Sequence, residues 1–120
     1  MNNDGIEILD YEGEGYSTVM RYDSWRVAII NPSERFEEKN LDKLERHLLT
    51  DEVFVLLEGE AILASETTRY QMEKHKIYNI RKGAWHAISL SKDAKVLIVE
   101  NSETGKENSE YKIAGEEKIR

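Results

Sequence analysis

Apolar residues in this chain fall into short blocks separated by polar turns, the pattern of strands rather than helices. The most compact block is Val53-Phe54-Val55-Leu56-Leu57, entered at Glu52 and left at Gly59. Such a run, bounded by turn signals, predicts a strand buried on both faces. Upstream, YSTVMRY (16–22) and WRVAIIN (25–31) are rich in β-branched and aromatic residues and flank Asp23-Ser24. They predict a hairpin, ended by Asn31-Pro32-Ser33 because proline cannot donate to a ladder. Earlier still, MNNDG (1–5) reads as loose and EGEG (12–15) as a turn. Between them, Ile6, Ile8 and Tyr11 alternate with Glu7 and Asp10, which predicts a short edge strand.

After Gly59 five more strands are expected: EAILAS (60–65), RYQMEK (69–74), IYNIR (77–81), HAISLS (86–91) and KVLIVE (95–100). Strands recurring about every 8–12 residues with little helix predict an all-β sandwich or barrel. One stretch is ambiguous. Leu41, Leu44 and Leu48 fit one face of a helix, yet they equally fit a loop that enters a strand near Glu45, and periodicity alone does not choose. The closing stretch, NSETGKENSEYKIAGEEKIR, is polar, with Tyr111 and Ile113 spaced to dock one face of an edge strand.

A chain of 120 residues predicts one domain, with a barrel core at about 35–100 and a polar C-terminal extension at 101–120. Seventeen basic against 24 acidic residues give a net charge of −7 with no basic cluster, which argues against nucleic acid as a partner. No apolar run approaches membrane-spanning length, and MNNDGIEILD lacks a secretory pattern, so a soluble, cytoplasmic protein is expected. The absence of cysteine rules out disulfides and thiolate metal sites. There is no nucleophile–base pairing, phosphate loop or dinucleotide fingerprint, and no catalytic residue is assigned.

Glu52, at the mouth of the buried strand, is costly to bury without a partner. His47 could serve, or a metal bound by both.

Two spacings resemble the motifs of the cupin superfamily, the RmlC-like jelly-roll barrels. The family's first motif runs Gly, five residues, His-x-His, three or four residues, Glu, six residues, Gly. Here His47, Glu52 and Gly59 match, while Glu45 stands at the first histidine and Lys39 at the leading glycine. The second motif runs Gly, five residues, Pro-x-Gly, two residues, His, three residues, Asn. Gly83 and His86 match it, while His75, Arg81 and Leu90 take the glycine, proline and asparagine positions. The resemblance covers about residues 35–100 and favours strand over helix around Glu45.

It implies a double-stranded β-helix with a divalent metal (iron, manganese, nickel or zinc) held inside by Glu45, His47, Glu52 and His86. Residues two apart in a strand share a face, so Glu45 and His47 can both look inward. Phe54 and Leu56, in phase with Glu52, and Ile88 and Leu90, in phase with His86, are expected to line a largely apolar ligand pocket, with Tyr78 as its polar handle. Gly83 is read as a backbone turn, Trp85 as facing away from the site, and Arg81 and His75 as solvated. The competing structural readings put His47 on a surface helix (41–49), pair Glu52 with Arg46, and bond His86 to a nearby carbonyl.

The resulting expectation is a small cupin barrel that binds a metal and a small-molecule ligand, with or without catalysis. The alternative is a metal-free, non-enzymatic ligand-binding or dimeric structural module. In that version one of the adjoining carboxyls Glu45 and Glu52 titrates high. Small cupins commonly pair through N-terminal strands, so a homodimer is expected, with Ile6, Ile8, Trp25, Val27 and Ile29 as apolar surface.

Overall fold

A computed structural model describes residues 4–115. The expectations for the first three residues and the last five lie outside that range. Ten strands account for the architecture: β1 (Tyr16–Tyr22), β2 (Trp25–Ile30), β3 (Lys43–His47), β4 (Glu52–Glu58), β5 (Ala61–Ala64), β6 (Arg69–Gln71), β7 (Tyr78–Ile80), β8 (Ala87–Leu90), β9 (Lys95–Asn101) and β10 (Ser109–Ile113). One sheet runs β1-β2-β9-β4-β7, another β6-β5-β8, and β3 pairs with β10 in a two-stranded ribbon. Every strand pair in these sheets is antiparallel.

The core lies between the sheets. Ala28 and Ile30 of β2, Phe54 and Leu56 of β4, and Val96 and Ile98 of β9 meet Ala61 and Leu63 of β5, with Ile88 and Leu90 of β8 packed alongside. The run after Glu52 is not buried on both faces as expected: on β4, as on β9, the inward residues alternate with more exposed ones, because only one side of the strand packs on the core. The exit of β4 is tightly built. Gly59 has a φ of +70°, and a Cβ there would sit 2.6 Å from the Ala94 Cα.

The ambiguous segment resolves into two 3-10 turns, at 34–36 and 38–40, followed by strand β3. Leu41 and Leu44 are buried, while Leu48 is exposed. No α-helix forms over 41–49, because β3 finds a complete ladder on β10.

The expected N-terminal strand does not form. Residues 6–10 have no ladder partner, and Ile6 and Ile8 are largely exposed. The chain is held instead just beyond them, where the Asn31 amide donates to the carbonyls of Tyr11 and Gly13, both at 2.8 Å. Alternation without an available sheet edge is not sufficient for a strand. Of the apolar surface candidates, Trp25 is exposed but Ile29 is buried. Among the described residues no helix is long and apolar enough to cross a membrane.

Candidate metal centre

β3 and the segment leading into β8 are held together by a reciprocal backbone bridge. The Glu45 N–H donates to the His86 carbonyl and the His86 N–H to the Glu45 carbonyl, both at 2.9 Å. This bridge brings the two motif segments side by side. Gly83, at φ +83°, turns the chain just before it, and its N–H donates to the His47 carbonyl at 2.8 Å.

The side chains then converge. His47 and His86 meet edge to face with ring centroids 5.2 Å apart, and the Phe54 ring closes on His86 at 5.9 Å. Glu52 Oε1 lies 3.4 Å from His47 Nε2 and 3.2 Å from His86 Nε2. An oxygen of Glu45 and one nitrogen from each imidazole lie within 4.8 Å of one another. The Glu45 carboxylate also contacts Arg35 at 3.4 Å. All four residues expected as ligands are therefore gathered at one end of the barrel.

Hydrogen bonding fixes the polarity of the site. His86 Nδ1 lies 3.0 Å from the Ala84 carbonyl, which can only accept, so the proton sits on Nδ1. In the neutral ring this turns the Nε2 lone pair toward the Glu52 carboxylate. Both atoms are buried and neither makes a directed hydrogen bond, although they are in contact. Two acceptors facing one another out of water require a proton or a cation between them. His47 Nδ1 contacts Ser109 Oγ at 2.8 Å, so β10 supplies an orienting group for the second imidazole.

Behind Glu52 lies a further layer. Tyr16 donates its hydroxyl proton to Glu100 Oε2 at 2.5 Å, and Arg26 Nε donates to the same oxygen at 2.8 Å. Arg26 also donates to the carbonyls of Ser102 and Thr104. Burial, then the adjoining Glu52 carboxyl, pushes Glu100 up to about 7. Burial acts on Glu52 in the same sense, but the adjoining imidazoles of His47 and His86 and the Glu100 carboxyl hold it well below the ordinary carboxylate range. Burial disfavours the His47 imidazolium, yet the Glu52 carboxylate more than offsets this, and its pKa is raised. Of the two adjoining buried carboxyls, Glu100 is the one raised and Glu52 the one lowered.

A signal for Glu100, Arg26 and Tyr16 was present in the strand phase. Glu100 follows Val96 and Ile98 on one face of β9, and Arg26 precedes Ala28 and Ile30 on one face of β2. Both phases point inward. Tyr16 stands opposite Ile30 across the β1–β2 ladder.

These groups open onto a cavity of about 1250 Å³. Phe54 and Ile88 line it, whereas Leu56, Tyr78 and Leu90 do not. Leu56 is a fully buried core residue, Leu90 packs against the same core, and Tyr78 uses its hydroxyl to accept the Glu73 N–H at 2.8 Å. Trp85 points away from the imidazoles, with the Arg46 guanidinium 4.5 Å and the Lys112 ammonium 4.6 Å from its ring centre. Arg46 pairs with Glu110 rather than Glu52. His75 and Arg81 are exposed, His75 in a left-handed turn at φ +72°.

No protein-family model matches the chain, and no curated protein matches it. Solved structures do. A cupin-2 domain protein of Shewanella frigidimarina aligns with a TM-score of 0.60 over 76% of this chain and 84% of that one, at 18% identity. An RmlC-like cupin family protein of Methanocaldococcus jannaschii, with a double-stranded β-helix fold, gives 0.61 over 81% and 91%, at 10% identity. Pac13 of Streptomyces, described as a nucleoside dehydratase and solved with uridine, gives 0.65 over 88% and 85%, at 7% identity. The fold is therefore that of the cupins: this chain is a small, all-β cupin-type barrel with a cluster of imidazoles and carboxylates inside it.

Proposed function

We propose that this barrel holds one divalent first-row metal and presents it to a small-molecule ligand in the cavity. His47 and His86 would bind through Nε2, Glu52 through Oε1, and Glu45 would complete the set. The carrying observation is the buried, unsatisfied contact between His86 Nε2 and Glu52 Oε1. Donors at about 2.1 Å from an ion and at right angles to one another stand about 3 Å apart, close to the 3.2 and 3.4 Å separations from Glu52 to the two imidazoles. Nitrogen and carboxylate donors without thiolate suit iron, manganese, nickel or zinc. Two carboxylates offset the ion's charge. When bound, the metal supplies a Lewis acid at the cavity floor.

The protein's own residues do the rest. Ala84 and Ser109 orient the imidazoles, Phe54 and Ile88 keep one wall apolar, and Tyr16 and Arg26 hold Glu100 against the back of Glu52. The uridine carried by Pac13 is consistent with a small molecule in a barrel of this shape. The test is elemental analysis of protein purified without chelator, alongside His47→Ala and His86→Ala. About one metal ion per wild-type chain and little in either variant is expected. Equal, near-zero metal in all three, with no thermal stabilisation by manganese, nickel, iron or zinc, rejects the reading.

A further inference from the structure

Building on that metal site, we infer that the ligand of this cavity is a small organic anion, with an oxygen donor turned toward the imidazoles and a carboxylate or phosphate met by Lys43 or Lys106, the two cavity-lining lysines without a carboxylate partner among the described residues. Charge is distributed unevenly between the cavity and the rest of the chain. The cavity wall carries six of the 17 basic side chains and only five of the 24 acidic ones. It is therefore positive by one charge in a protein whose net charge is −7, before any metal adds to it.

The ribbon of β3 and β10 shows how that charge is arranged. Lys43, Glu45 and His47 share one face of β3, opposite Ile113, Tyr111 and Ser109 of β10. All six line the cavity. The face runs from ammonium through carboxylate to imidazole, with about 13 Å of strand from first to last.

The other wall cations are engaged: Arg26 with Glu100, Arg35 with Glu45, Lys39 with Glu37 and Lys112 with Glu66. Lys43 and Lys106 have no carboxylate within ion-pair distance among the described residues. Glu34 and Asp42, the two lining acids outside the site and its second layer, are both exposed. A ligand in the cavity thus meets an uncommitted ammonium at either end of the ribbon: Lys43 opposite Ile113, and Lys106 just before Ser109. At the imidazoles it meets the buried, unpartnered Glu52 Oε1 and His86 Nε2. A neutral ligand would leave these ammoniums unused, whereas an anion gains a charge-assisted hydrogen bond from one of them.

The experiment is isothermal titration calorimetry at low salt on manganese-loaded and metal-free protein, with matched probes: D-ribose 5-phosphate against D-ribose, and succinate against succinamide. At least one anion should bind at least ~tenfold tighter than its neutral partner. The doubly substituted K43E/K106E should lose that preference while keeping wild-type manganese stoichiometry. Equal binding of anionic and neutral partners, or an unchanged preference in K43E/K106E, overturns the inference. A wild-type chain that takes up no manganese instead overturns the metal reading. The anion preference is then judged on the metal-free chain by the same two criteria.

Discussion

Glu45 and His86 exchange backbone hydrogen bonds at 2.9 Å in both directions, and this single bridge places the two halves of the site. Neither residue belongs to the other's sheet ladder. The bridge sets His47, two residues beyond Glu45, beside the His86 ring, and β4 then delivers Glu52 to both imidazoles.

The acid–base pattern predicts how stability of the metal-free protein depends on pH. Glu100, raised to about 7, keeps a proton in the folded chain that the unfolded chain releases above its ordinary value of 4.5. His47, raised above 6.5, acts in the same direction. The folded state binds more protons, so stability falls as pH rises from 4.5 through these values. Glu52, lowered, works oppositely below 4.5. Urea unfolding of chelator-treated protein should show a maximum near about pH 5 and a decline toward pH 8. Glu100→Gln should flatten the decline. Metal affinity should move the other way, rising with pH as His47 loses its proton.

Arg26 should be a strong stability determinant. It is mostly buried, pairs with Glu100 at 2.6 Å, and donates to the Ser102 and Thr104 carbonyls. Arg26→Met leaves those acceptors without a donor and should cost about 3 kcal/mol, read from the denaturant midpoint.

Two glycines with positive φ should differ in their tolerance of alanine. At Gly59 the added Cβ meets backbone at 2.6 Å, whereas at Gly83 it meets nothing within 4 Å. Gly59→Ala should cost about 3 kcal/mol or more, through both clash and strain. Gly83→Ala carries only the left-handed penalty of about 1–2 kcal/mol.

Ser109 should tune the metal without holding it. Its hydroxyl sits 2.8 Å from His47 Nδ1. Ser109→Ala should weaken metal binding about tenfold, measured by competition with a chelating dye, with little change in unfolding.

Much of this architecture was legible in the residues. The buried run after Glu52, the hairpin around Asp23-Ser24 and the short strands downstream follow from side-chain alternation and turn chemistry alone, and they appear where that chemistry puts them. The strand at 43–47 was not decidable locally, because the leucines at 41, 44 and 48 fit a helix as well. Its ladder partner, β10, lies far along the chain. The N-terminal alternation failed for the converse reason, having no edge to join.

Within the site, spacing pointed to His47, Glu52 and His86. Glu100 and Arg26 were overlooked because charged residues at strand ends are usually solvated. Their phase with Ile98 and Ala28 was the available clue. Tyr78 looked like an inward handle, but its hydroxyl is taken by a neighbouring turn.

The central claim is that one ion sits between His47, His86 and Glu52. Crystals of protein purified without chelator and supplied with manganese, measured on both sides of a metal absorption edge, test it most directly. The account predicts a single anomalous peak at bonding distance from Nε2 of both histidines and Oε1 of Glu52. A map with no anomalous density there, and a proton-mediated His86–Glu52 contact in its place, would contradict it.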